Sequence, residues 1–221
     1  TLTRLSDAGA RSIDTNFGAT NDNFGELFFR RNVRGPRCVL LGSSITAGSS
    51  VIVNEYWQHY GSITEVMCRL SGLNVVRNAG VAGNRSYQMV DRYSTDVSPY
   101  HPDVVIIEPL TNDLQYFATD LSTYVNPSDP RNAFDNVTTL IENTFNIGAL
   151  PILVISPPNN SSPLQSARTR WILYDIAKYY GIPVIDLFLY MVDTSTTGTY
   201  NSAYSSDGVH PNAAGIAACA A

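Results

Sequence analysis

The chain has 221 residues, of which 44% are hydrophobic and 15% charged, and its formal net charge is −5 at pH 7. This length suits one α/β domain with a single core, and it argues against two full domains. A nucleic-acid partner is not expected, because binding phosphates needs a cationic surface, whereas this chain has a negative net charge and Lys178 is its only lysine.

The first part of the chain differs from the rest in pattern. Residues 1–35 lack a clear period, and we expect them to form an irregular arm. After them, five short runs rich in β-branched residues recur at 38–41, 73–77, 103–108, 151–155 and 183–188. Such runs are typical of strands buried on both faces. No apolar run approaches the roughly 18 to 20 residues that cross a bilayer, so no membrane span is predicted.

Stretches with helical spacing separate these runs. The apolar positions of the first are Tyr56, Tyr60, Ile63, Met67 and Leu70, and those along one face of the second are Phe134, Val137, Ile141 and Phe145. Gly72 ends the first stretch. The second is predicted to begin with Asp129 as N-cap and Pro130 at the first helical position, and to end at Gly148. A third helix is predicted over 163–181.

The alternation of strands and helices favours a parallel sheet. Right-handed crossovers place helices on both faces of such a sheet, so the fold class predicted is doubly wound α/β, in a single domain over 1–221. Within it, Cys38 and Cys68 lie in apolar stretches and are expected to be small buried thiols. With Cys219 they make an odd number without a CxxC spacing, which indicates neither a disulfide scaffold nor a thiolate metal site.

The carboxyl ends of the strands collect the reacting groups in open α/β sheets, so the loops that follow the strands carry the most information. The first strand ends in Gly42-Ser43-Ser44-Ile45-Thr46, which places a hydroxyl where backbone N–H groups are free. A serine nucleophile would fit there. Taken alone, the motif fits a Gly/Ser turn or a phosphate-cradling loop equally well, although GSSITAGSS lacks the GK[ST] of a P-loop.

The next two strands also lead into polar loops. After the second, Gly83 allows close approach of the backbone and can direct an N–H into a site. After the third, Asn112 in Leu110-Thr111-Asn112-Asp113 offers an amide donor at the same edge of the sheet. Each signal is weak alone, because turn formation and capping are the commoner roles of these residue types.

A carboxylate and an imidazole lie close together near the end of the chain. In DGVHPNAAG, Asp207 precedes His210 by three residues and can accept its Nδ1 proton, which fixes the tautomer that a general base needs. His59 and His101 lack such a partner and are interpreted as structural.

These four blocks, in this order over 38–215, resemble those of the SGNH hydrolases, also called GDSL-like lipases and esterases. The resemblance places the family's Ser, Gly, Asn and His on Ser44, Gly83, Asn112 and His210, with Asp207 in support. It implies a three-layer α/β/α sandwich with a five-stranded, flavodoxin-like parallel sheet. It also implies acyl transfer through Ser44, an oxyanion hole formed by the amides of Ser44 and Gly83 and the Asn112 side chain, and no metal or organic cofactor.

The chain departs from the family pattern at two positions. GDSL reads GSSI, with Ser43 in place of Asp, and GxND reads LTND, with Leu110 in place of Gly. Neither change removes a reacting group, but two adjacent hydroxyls leave open which one attacks, and the register favours Ser44. The α/β-hydrolase elbow GxSxG is not met, because its fifth position here is Thr46.

Aromatic residues near these loops suggest the substrate class. Tyr87, Tyr116 and Phe117 could stack on sugar rings, whereas Tyr56 and Trp57 are at least as well explained as buried helix residues. No amphipathic insertion is long enough for a lipase lid, so a small acyl group on carbohydrate is favoured. The chain also resembles esterase domains of phage tailspikes, which implies an extracellular or virion-associated setting and a possible trimer.

Three alternatives stay open at this point. A glycan-binding or adhesive module could keep the fold without turnover, with GSSI and LTND as signs of drift. A lipase or thioesterase of the same family, or a flavodoxin-like phosphate or nucleotide binder, is more remote. The Asp207/His210 pair argues against the first alternative, and the absence of a nearby lysine argues against the phosphate binder.

Overall fold

The structure of the protein is a computed structural model that describes residues 35–48, 62–114, 132–196 and 198–220. The predicted arm therefore lies outside the described residues, apart from Gly35. The strands are β1 (Arg37–Gly42), β2 (Asn74–Gly80), β3 (Val104–Ile107), β4 (Leu150–Ile155) and β5 (Val184–Asp186). The helices are α1 (Ser44–Ala47), α2 (Ile63–Leu70), α3 (Ser86–Asp91), α4 (Tyr93–Asp96), α5 (Ala133–Asn146), α6 (Pro163–Tyr180), α7 (Leu187–Met191) and α8 (Ala213–Ala220).

The strands form one five-stranded sheet in the order β2-β1-β3-β4-β5. Every neighbouring pair is parallel, with Leu41 of β1 between Ala79 of β2 and Ile107 of β3. This is the flavodoxin-like, doubly wound order that was predicted, and the prediction of the fold class is confirmed. Because all five strands run in one direction, the loops after β1, β2, β3 and β4 leave the same edge of the sheet.

Alternate residues of the central strands face two separate cores, which makes the sandwich three-layered. Leu41 and Ile107 pack on one side with residues of α3, α4, α5 and α6. Leu40 and Ile106 pack on the other side with residues of α2, α7 and α8. Cys38 and Cys68 lie in this second core and are almost fully buried, as expected for small apolar thiols. Among the described residues, no helix is long and apolar enough to cross a membrane.

The ends of two strands differ from the predicted ones, because β2 continues three residues beyond 77 to Gly80 and β5 is shorter than predicted. The fifth strand was predicted over 183–188, but β5 ends at Asp186 and α7 begins at Leu187. The reason is local, because the Asp186 side chain accepts a hydrogen bond from the Leu189 amide and so caps a helix. Helix α5 begins after Asn132, whose side chain accepts from the Asp135 amide. Its predicted start at residues 129 and 130 lies outside the described part of the chain.

The buried face of α5 is rotated from the predicted one. Phe134 and Phe145 are 47% and 43% exposed. The positions that face the core are Ala133, Asn136, Val137, Leu140, Ile141 and Thr144. Val137 and Ile141 are buried as predicted. The apolar spacing missed Asn136 and Thr144, whose polar side chains form hydrogen bonds inside the protein. Helices α2 and α6 end as predicted, before Gly72 and at Gly181, although Leu70 of α2 is exposed.

Candidate active site

A hydroxyl, an imidazole and a carboxylate form a chain of hydrogen bonds at the carboxyl edge of the sheet. Ser44 is the first residue of α1, two residues after the end of β1, and its Oγ lies 2.8 Å from Nε2 of His210. His210 Nδ1 lies 2.7 Å from Oδ2 of Asp207. The structure therefore brings together three residues that the sequence singled out, two of them 166 positions from one another.

The Asp207 carboxylate shapes the loop that carries the imidazole. Its Oδ1 accepts the backbone N–H groups of Val209 and His210, at 2.9 Å and 2.8 Å, so one oxygen fixes the turn and the other orients the ring. Partial burial acts to raise the pKa of Asp207, but the hydrogen bonds from His210 and Val209 outweigh it and hold that pKa well below its usual range. The carboxylate consequently stays ionised beside the ring.

Neighbouring residues anchor this loop to the rest of the fold. Ser205 Oγ donates to the His210 carbonyl at 2.7 Å and accepts from the Gly208 amide at 2.9 Å. Asn160, in the segment between β4 and α6, donates its backbone N–H to the Gly208 carbonyl at 2.8 Å, and its side-chain Oδ1 accepts from the Tyr200 backbone N–H. Gly208 has φ +74°, and a methyl group there would lie 2.5 Å from the Asn160 side chain.

The two adjacent serines have different partners. Ser43 is wholly buried, and its N–H and O–H both donate to Oε2 of Glu108, at 2.9 Å and 2.6 Å. Its Oγ also accepts from the Ile45 amide at 3.3 Å, which makes Ser43 the N-cap of α1. The hydroxyl that faces His210 is that of Ser44.

Glu108 is a completely buried carboxyl group that ties three loops together. Besides the two bonds from Ser43, it accepts hydrogen bonds from the hydroxyls of Thr46 at 3.3 Å, Ser156 at 2.6 Å and Thr111. These donors follow β1, β4 and β3. No role for Glu108 follows from the sequence motifs. An acidic residue at the end of an otherwise apolar buried strand is nevertheless a usable signal, because a buried acidic group needs hydrogen-bond partners.

Gly83 and Asn112, the other residues predicted to stabilise an oxyanion, lie on the loops after β2 and β3. Gly83 is exposed, with φ +78° and open space around its Cα. Asn112 donates an Nδ2 hydrogen bond of 2.9 Å to the Asn84 carbonyl, which places its amide beside the Gly83 loop. Both loops and the start of α1 therefore lie at the same edge of the sheet.

A model of the GDSL-like lipase/acylhydrolase family matches residues 40–218. The chain belongs to this family. Its match supports hydrolysis of carboxylic esters as the class of reaction. No curated protein matches the chain in sequence.

Solved structures agree on the fold of this acylhydrolase. A GDSL-like lipase from Bacteroides thetaiotaomicron is 20% identical over 91% of this chain and 91% of its own, with a TM-score of 0.63. A lipase/acylhydrolase from Enterococcus faecalis is 21% identical over 84% and 91%, with a TM-score of 0.60. A variant of an acetyl xylan esterase from Geobacillus stearothermophilus is 20% identical over 84% and 91%, with a TM-score of 0.63. At these identities the likeness shows the fold alone.

Asp113 connects the two loops of the acylhydrolase that carry Gly83 and Asn112. Its carboxyl oxygens accept the N–H and the O–H of Ser86, the first residue of α3, at 2.9 Å and 2.8 Å. Burial raises the pKa of Asp113 to about 6, against the lowering effect of the bonds from Ser86. The residue after Asn112 is thereby fixed to the helix that follows Gly83.

Of the three aromatic residues predicted to contact the substrate of the acylhydrolase, one lies within the described residues. Tyr87 lies in the first turn of α3 and is half-buried, whereas Tyr116 and Phe117 lie outside the described residues. His101 is exposed at the turn before β3, and His59 is outside the described part. Within the described ranges, no group of three or more His, Cys, Asp and Glu side chains could hold a metal ion.

Proposed function

We propose that the protein is a serine esterase that hydrolyses small acyl esters through a covalent ester on Ser44. The observation that carries this proposal is the continuous chain from Ser44 Oγ through the His210 ring to Asp207, with links of 2.8 Å and 2.7 Å. Hydroxyl, base and orienting carboxylate in this geometry form the arrangement that activates a serine for nucleophilic attack.

In the first half of the reaction, His210 Nε2 takes the Ser44 proton as Oγ attacks the acyl carbon. Negative charge then develops on the former carbonyl oxygen. The backbone amides of Ser44 and Gly83 and the Asn112 side-chain amide are the donors proposed for it. Removing one such donor typically costs about 2.7 to 4 kcal/mol in transition-state stabilisation.

The first half ends when the tetrahedral intermediate collapses and His210 gives its proton to the departing alcohol, which leaves the acyl group on Ser44. In the second half, His210 takes a proton from water as the water oxygen attacks the ester carbon. The second tetrahedral intermediate then collapses, and the proton returns to Ser44 Oγ as the carboxylic acid leaves. The anionic Asp207 stabilises the imidazolium form of the ring in both halves and holds its tautomer.

The substrate we favour is an O-acetyl group on a carbohydrate or polysaccharide. In its support, one structural neighbour is an acetyl xylan esterase, and the chain shows no lid-length amphipathic insertion. Tyr87, Tyr116 and Phe117 are the aromatic side chains proposed to contact the sugar. The setting we propose is extracellular or virion-associated, as in a tailspike esterase domain, where a trimer would be the natural assembly.

The test compares wild type with Ser44→Ala on acetylated xylooligosaccharides and on p-nitrophenyl esters of two-carbon and eight-carbon acids, with circular dichroism as the check on folding. Release of acetate by the wild type and its loss in a folded Ser44→Ala variant would support the proposal. Equal activity in both would refute the role of Ser44. Preference for the eight-carbon ester would indicate a lipase, and glycan binding without turnover would indicate a binding module.

A further inference from the structure

The guanidinium group of Arg92 contacts the loops at the carboxyl edge of the sheet. Arg92 lies between α3 and α4, and its side chain is only 16% exposed. Its Nε donates to Asn84 Oδ1 at 2.7 Å, and its two terminal nitrogens donate to the carbonyls of Ala79 at 2.7 Å and Gly42 at 3.0 Å. A fourth hydrogen bond, of 2.7 Å, joins it to Asp96 one helical turn further on.

Three of these acceptors lie on the segments that carry two of the donors of the proposed oxyanion hole. Gly42 ends β1, two residues before Ser44. Ala79 lies near the end of β2, and Asn84 directly follows Gly83. The Asn84 carbonyl in turn accepts the 2.9 Å bond from Asn112 Nδ2. One side chain is thus bonded to the segments that carry two of the donors, and through Asn84 it is connected to the third.

We propose that Arg92 is the positioning residue of the oxyanion hole, and this inference rests on the esterase function proposed above. Through Asn84, Arg92 holds the Gly83 amide and the Asn112 amide at a fixed separation from the amide of Ser44. It acts on these groups and not on the substrate. No role for Arg92 follows from the motifs that identified the site.

The chemistry of arginine suits this role. The planar guanidinium presents five N–H donors in a rigid fork, and four hydrogen bonds to acceptors on three different segments use most of them. A lysine ammonium would offer three donors around a single point, which cannot span the same acceptors. Displacing a catalytic group by about 1 Å can lower the rate by a factor of about 10². Loss of the Arg92 hydrogen bonds should therefore lower kcat more than it weakens substrate binding.

The test measures kcat and KM for p-nitrophenyl acetate in Arg92→Ala and Arg92→Lys. We expect kcat to fall by about 10- to 100-fold in Arg92→Ala with KM changed less than about threefold, and Arg92→Lys to recover only part of the loss. Arg37→Ala is the matched control, because Arg37 donates to the Tyr100 and His101 carbonyls at the opposite, amino end of the sheet. It should lose stability while kcat stays at the wild-type value.

A double-mutant cycle with Asn112→Ala separates positioning from general stability. If Arg92 acts through the oxyanion donors, adding Arg92→Ala to Asn112→Ala should lower kcat far less than it does in the wild type. Full additivity would overturn the inference, as would a folded Arg92→Ala variant with normal kcat.

Asn84→Ala keeps the test decisive if Arg92→Ala does not fold, because it removes one guanidinium contact and leaves the backbone intact. We expect a lower kcat with an unchanged KM. A wild-type kcat in folded Asn84→Ala would overturn the inference. A wild-type protein that hydrolyses no ester would instead refute the proposed function itself.

Discussion

The buried carboxyl of Asp113 predicts an unusual dependence of stability on pH. Asp113 is almost completely buried, and burial raises its pKa from 3.8 to about 6 despite two hydrogen bonds from Ser86. Asp113→Asn removes the titration and keeps the shape of the side chain. The free energy of unfolding of the two proteins should therefore diverge as the pH rises.

The sign follows from which state holds the proton. Between about pH 4 and pH 6 the unfolded chain has released the Asp113 proton, whereas the folded protein keeps it, so the free energy of unfolding falls as the pH rises. The stabilising contribution of this carboxyl is fully present below about pH 4 and lost above about pH 6. A pKa raised from 3.8 to about 6 corresponds to about 3 kcal/mol in total. About 2 kcal/mol of that change should fall between about pH 4.5 and pH 7.5.

The assay is urea denaturation of both proteins across this pH range. Subtracting the wild-type value from that of Asp113→Asn cancels the titration of the other groups, Asp207 included, whose lowered pKa acts in the opposite direction. We expect the difference to grow in favour of Asp113→Asn by about 2 kcal/mol as the pH rises. A difference that stays flat, or that grows in favour of the wild type, would refute this reasoning about the burial of Asp113.

Three further substitutions, one of them with a matched control, test other parts of the site. Glu108→Gln should lower the free energy of unfolding measured by urea denaturation by about 1 to 3 kcal/mol, since an amide nitrogen cannot accept the hydroxyl hydrogen bonds that a carboxylate oxygen accepts. Unchanged stability would contradict the role of Glu108 in joining the three loops. Gly208→Ala should reduce kcat and stability, the latter by about 1 to 3 kcal/mol, because the methyl would collide with Asn160. Gly148→Ala is the matched control, because Gly148 also has a positive φ, of +76°, but has open space where the methyl group would lie. It should lower stability through backbone strain and leave kcat unchanged. Asp207→Asn should lower kcat by up to about 10⁴-fold, and it should also lower the free energy of unfolding at neutral pH, because the ionised carboxylate holds the loop through the backbone N–H groups of Val209 and His210. A rate within about tenfold of wild type would count against its role in orienting the imidazole.

The fold could be predicted from the sequence because its signals are local. A strand buried on both faces appears as a continuous apolar run, as Val104–Ile107 does, and short runs separated by helices leave few arrangements other than a parallel sheet. Two incorrect predictions, the buried face of α5 and the end of β5, also have local causes. The face of α5 was misjudged because Asn136 and Thr144 are buried polar residues, and β5 was drawn too long because the capping role of Asp186 is invisible in an apolar pattern.

The residues of the site were found where a contiguous motif carries them, and missed where it does not. Asp207 and His210 are three positions apart, so their contact could be anticipated from spacing alone. Ser43 and Glu108 are 65 positions apart, and Arg92 and Gly42 are 50 apart. These pairs become neighbours only when parallel strands align their ends, and a single sequence contains no signal for such a pairing.

The central claim, that the Ser44 hydroxyl attacks the acyl carbon, is tested most directly by covalent labelling with an organophosphate, followed by mass spectrometry of the digested protein. The label should appear once per chain, at residue 44. It should be absent from Ser44→Ala and much slower to form in His210→Ala. An active esterase that takes the label at Ser43, or that takes none while it hydrolyses acetyl esters, would contradict the account.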